Sequence, residues 1–164
     1  MEFIKKIEKM VTGWVKPLPH LPTAGQKWIA VNIWWLELIG VVVLCISGIT
    51  MISLLLPLLG FTSAVLGVAG IGGFMAFSTI LSLAFMIGSI AFLALAISPL
   101  KAMKKKGWDF LFIALLINVA STVLSAVFSF NAISFISTLF SGAIGIAVST
   151  YLLFEIRSYF VSTK

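Results

Sequence analysis

The chain has 164 residues, 61% of them hydrophobic and 10% charged, with a mean hydropathy of +1.20 and a formal net charge of +6. Soluble domains are roughly 45–50% apolar and about 25% charged, so this composition excludes an ordinary soluble globule and places the chain in a bilayer. Eleven Lys and Arg stand against five Asp and Glu, and a basic balance in such a chain points to phosphate headgroups rather than to nucleic acid.

Residues 1–16 predict an amphipathic helix lying in the membrane interface. Phe3, Ile4, Ile7, Met10, Val11, Trp14 and Val15 recur at helical spacing, while Lys5, Lys6, Glu8, Lys9 and Thr12 take the other face. Glu8 and Lys9 interrupt the apolar run that a secretory signal requires. Residues 17–23 form a short, stiff connector, because Pro17, Pro19 and Pro22 prevent regular helix. His20, the single histidine, reads as an exposed or capping residue of this connector, with pH sensing as the sharper alternative.

Residues 24–164 then read as a four-helix transmembrane bundle. Residues 38–100 and 110–154 carry no Asp, Glu, Lys, Arg or His, and a hydrocarbon core about 30 Å thick takes about 20 apolar residues per helix, so each stretch holds two crossings. Neither stretch has the polar face that each helix of a soluble bundle would need. The expected spans are 35–56, ended by Pro57 and Gly60; 74–97, stopped at Ser98-Pro99; 108–130; and 133–154, with Asn131 and Ala132 as the last turn. Residues 60–73, apolar but glycine-rich, read as an interfacial or re-entrant piece. Thr23 and Gln26 have the spacing of a capping box opening a helical extension before the first span, with Trp28, Trp34 and Trp35 at headgroup level.

All basic residues fall on one side of this arrangement. Lys5, Lys6, Lys9, Lys16 and Lys27 precede the first span, Lys101, Lys104, Lys105 and Lys106 lie between the second and third, and Arg157 and Lys164 follow the fourth. The positive-inside rule then puts both termini in the cytoplasm, fitting a bacterial inner membrane or its equivalent. The lysines at 101 and 104–106 read as topology determinants and, more sharply, as contacts to anionic lipid headgroups.

Several chemistries lack their residues. Cys45 stands alone, without the CxxC pair of thiol oxidoreductases, and one histidine provides neither a bis-histidine haem nor the ligand set of a zinc site. Serines occur without a buried base, and no nucleotide-binding glycine motif is present. No catalytic residue and no cofactor is expected.

What remains is polar and small. Ser137, Ser141, Gly145 and Ser149 repeat every four residues in the fourth span, a row suited to close helix packing, within the chain or between chains. Ala114, Asn118, Ser121, Thr122 and Ser125 form a stripe on the third. Glu37 is the acidic residue nearest a bilayer core; a start of the span near Trp35 makes it interfacial, a start at Trp28 puts it well inside. Helix count and Glu37 together give an outline that resembles the small multidrug resistance transporters. That resemblance ends there: the chain is longer, carries an N-terminal helix which the family lacks, and has no W-x-Y signature in the third span. The expected function is a non-enzymatic multi-pass protein, an accessory or structural subunit of a membrane assembly or a membrane organiser. The alternative is a small oligomeric transporter or channel using Glu37 and Asn118. The expected partners are the bilayer with its anionic headgroups and a second copy or another membrane protein.

Overall fold

The computed structural model describes residues 2–65, 69–128 and 132–161, and these are helical with no strand among them. In chain order the elements are α1 (Glu2–Val15), α2 (Thr23–Val65), α3 (Ala69–Lys101), α4 (Lys105–Val127), α5 (Ala132–Glu155) and α6 (Arg157–Val161). Four segments are long and apolar enough to cross a membrane, Thr23–Ser53, Phe77–Lys101, Lys105–Val127 and Ile133–Glu155, and they point to a membrane protein.

The helix ends depart from expectation in instructive ways. Helix α2 runs through Pro57 and past Gly60 to Val65, and α3 is already helical at Ala69. In hydrocarbon no water takes up the backbone groups that a break would free, so continuing across a proline, at the loss of one hydrogen bond, is the better-satisfied state. The expected interfacial or re-entrant piece at 60–73 is therefore helical at 60–65 and 69–73, and its residues 66–68 lie outside the described residues. Residues 129–131, with the Asn131 turn and the expected end of the third span, lie outside them too.

The proposed capping box does not form. Pro22 accepts the first helical bonds, from the Gly25 and Gln26 N–H groups at 2.8 and 3.0 Å, and the Gln26 amide turns to Leu21 O and Glu155.

Helix α3 passes Ser98-Pro99 and ends at Lys101 in a Schellman motif. Lys104 N donates to Pro99 O and Met103 N to Leu100 O, both at 2.9 Å. The left-handed position of this motif, usually glycine, is held by Met103 at φ 53. Helix α4 starts one turn earlier than expected because Lys104, extended at φ −87 and ψ 142, ends the turn immediately. Gly107 allows that tight reversal: a Cβ there would lie 2.7 Å from Leu100 N and 3.0 Å from Leu100 Cα.

Packing among the described residues runs α2 on α3, α3 on α4 and α4 on α5. The spans thus form a row rather than a closed ring, and α2 and α5 approach each other through side chains at the charged end. There lies the core: Ala30, Ile33, Leu100, Trp108, Phe112, Phe154, Ile156 and Phe160 are buried together. Helix α1 joins it through Val15, with Ile4, Ile7 and Val11 packed alongside, whereas Met10 and Trp14 are exposed. The apolar side chains expected to share one membrane-lying face are divided, most of them being used on the protein itself.

Candidate functional site

The charged end is knitted from residues distant in sequence. Trp108, in the first turn of α4, is fully buried, stacks on Phe112 at 5.3 Å between ring centroids and meets Phe154 edge-on at 5.4 Å. Its indole N–H donates to Leu153 O at 2.8 Å. That carbonyl lies in the last turn of α5, where the helix itself offers no donor, so the tryptophan satisfies a group that burial would otherwise strand.

Two carboxylates fasten the N-terminal region to this core. Glu8 of α1 accepts from Arg157 Nε at 3.0 Å and Nη2 at 2.6 Å, and the same guanidinium lies 5.6 Å from the Trp108 ring centroid. Glu155, its side chain 1% exposed, binds His20 Nδ1 through Oε1 and accepts from Leu21 N and Gln26 Nε2 through Oε2, each at 2.9 Å. Both of its oxygens are occupied, which is the condition for holding a buried carboxylate. Tyr151 Oη donates to Pro19 O at 2.6 Å and Tyr159 Oη to Thr23 O at 3.3 Å, so the connector is held over most of its length.

The four lysines cluster at the α3–α4 turn: Lys101 ends α3, Lys104 closes the Schellman motif, and Lys105 and Lys106 open α4. Lys101 Nζ lies 5.1 Å from the Trp34 ring centroid, Lys106 Nζ lies 5.6 Å from that of Phe110, and Lys105 is 3.8 Å from Asp109. Lys104 is exposed. Glu37, half-buried, comes three residues after Trp34, about 4.5 Å along the helix axis. Asn118 is exposed on α4. Because α3 separates α2 from α4, Glu37 and Asn118 are not brought together into one site.

The row Ser137, Ser141, Gly145 and Ser149 is exposed throughout. It does not pack α5 onto α4. That contact uses Gly142, where a Cβ would collide with the Thr122 methyl, while nothing lies within 4 Å of one on Gly145. Ser137 and Ser141 return their hydroxyls to their own helix, at Ser134 O and Ser137 O. From the Gly142–Thr122 contact, Asn118 is one turn toward the charged end along α4, and Gly145 is about one turn the same way along antiparallel α5. Asn118 and Gly145 thus border one seam from opposite sides.

Sequence reasoning missed Trp108, Glu155, Gln26 and Arg157 as a connected set. No local spacing points to them, since Gln26 and Glu155 are 129 positions apart. Cys45 is exposed, and among the described residues no group of three or more His, Cys, Asp or Glu side chains converges as for a metal. No protein family, curated protein or solved structure matches this chain.

Proposed function

We propose that the chain is a non-enzymatic subunit of a larger membrane assembly, seated with its charged end and both termini in the cytoplasm of a bacterial inner membrane or its equivalent. The observation that carries this reading is the exposed seam between α4 and α5. An unsatisfied amide such as Asn118, which makes no side-chain hydrogen bond among the described residues, is costly against lipid and is met by a partner helix that returns its bonds. Beside it, the small residues Ser141, Gly145 and Ser149 let another backbone approach closely. The orientation is supported by the one-sided placement of the basic residues.

Native mass spectrometry after mild extraction from the source membrane, with a tag at residue 164, tests the proposal. A reproducible stoichiometric membrane-protein partner, lost on Asn118→Leu or Gly145→Leu, is expected. A lone monomer overturns the reading, and a homo-oligomer replaces it with self-association at the same seam.

A further inference from the structure

A cleft of about 310 Å³ opens where α1, the connector and the α5–α6 junction meet. Its floor is apolar, from Val15 and Phe154, and its rim carries Lys16, His20, Arg157 and Ser158. Glu155 lines the cleft and Glu8 borders it, Glu155 turning both oxygens to donors within the fold and Glu8 turning one to Arg157. Glu155 is 1% exposed with both oxygens bonded, and Glu8 is 12% exposed with one oxygen taking two bonds from Arg157. The accessible charged groups of the rim are the cations of Lys16 and Arg157. Lys16 is exposed, Arg157 keeps Nη1 clear of Glu8 with a third of its side chain exposed, and the half-exposed His20 spends Nδ1 on Glu155. Ser158 adds an exposed hydroxyl.

We infer that this cleft binds a phosphate ester, its phosphate held by Lys16, Arg157 and Ser158 and its organic part lying on Val15 and Phe154. A planar guanidinium beside a point ammonium suits a phosphate with oxygens on several sides, and an apolar floor of this size suits a glycerol-like or acyl attachment better than a bare ion. The phosphate comes from an anionic phospholipid headgroup or from a soluble phosphate ester. The site does not depend on the α4–α5 seam, so failure of either proposal leaves the other standing.

Binding to the full chain in a neutral maltoside micelle decides it. The probes are phosphatidylglycerol, phosphatidylcholine, glycerol phosphate and inorganic phosphate, with adducts resolved by native mass spectrometry. One saturable phosphatidylglycerol adduct is expected, weakened about tenfold by Lys16→Glu and by Ser158→Glu and in the same direction by Lys16→Gln. Lys5→Glu changes the net charge as Lys16→Glu does but is exposed on α1 away from the cleft lining, and it is expected to leave the adduct intact. Binding of glycerol phosphate as tight as that of the lipid assigns the site to a soluble ester, and binding confined to the lipid assigns it to a headgroup. Equal weakening by Lys5→Glu, equal retention of phosphatidylcholine, or adducts indifferent to both rim positions overturns the inference. Helical circular dichroism and melting of each variant, expected to match the parent chain, separate loss of the site from loss of the fold.

Discussion

Arg157 reaches across 149 positions of sequence to hold Glu8, with Nε at 3.0 Å and Nη2 at 2.6 Å from the same carboxylate oxygen. The pair fastens the first helix to the last. Glu8 is largely buried and Arg157 is partly exposed, so the pair falls between a screened surface bridge and a fully buried one. Glu8→Ala is expected to cost about 1–2 kcal/mol and to release α1. Hydrogen exchange over residues 2–15 checks this; unchanged protection would show that Ile4, Ile7, Val11 and Val15 hold α1 without the ion pair.

Trp108 combines full burial with a bond to an otherwise orphaned helix carbonyl. Trp108→Phe keeps most of the packing and strands Leu153 O, with an expected loss of about 1–2 kcal/mol. Trp108→Ala adds a large cavity and is expected to cost about 3–5 kcal/mol. Chemical denaturation in detergent should rank the two in that order.

The turn between α3 and α4 tolerates two residues for opposite reasons. Gly107→Ala forces a methyl against the Leu100 backbone and is expected to destabilise by about 1–3 kcal/mol. Met103 already sits at φ 53, and a β-branched side chain fits that region worse, so Met103→Ile is expected to lose about 1–3 kcal/mol. Met103→Gly removes the backbone strain along with some packing and should lie closer to the parent chain in thermal melting than Met103→Ile.

On α5, neighbouring glycines are expected to behave differently. Gly142→Ala collides with the Thr122 methyl and should lower the melting temperature, with partial recovery in the double variant Gly142→Ala/Thr122→Ser, which removes that methyl. Gly145→Ala enters open space and is expected to stay within about 1 kcal/mol of the parent, glycine being the poorer helix former. A marked destabilisation by Gly145→Ala in the isolated chain would contradict the open seam.

Much of the architecture was legible because it follows from local composition. The uncharged stretches at 38–100 and 110–154 imply four crossings from bilayer thickness alone, whichever helix touches which. The helix ends were read less well. Pro57 and Pro99 look like stops under rules drawn from water, yet both lie inside helices: α2 continues past Pro57 because a helix in hydrocarbon has no better-solvated alternative, and Pro99 lies in the last turn of α3, where its carbonyl accepts the closing bond from Lys104 N. The packing row was legible only as a face: a four-residue interval does not specify its neighbour, and within the described chain it is Gly142, outside the row, that meets Thr122.

By itself, then, the sequence determined the class of protein, the number of apolar helices and the gathering of basic residues beyond their ends, since each depends on transfer from water to hydrocarbon, summed residue by residue. Tertiary structure alone decided which polar groups meet. Glu8 with Arg157, Gln26 and His20 with Glu155, and Trp108 with the end of α5 are pairings between chain segments that only the antiparallel packing of α2 to α5 brings together. The same packing left Asn118 and Gly145 exposed on one seam, because α5 rests on α4 through Gly142 and no described helix covers its other side.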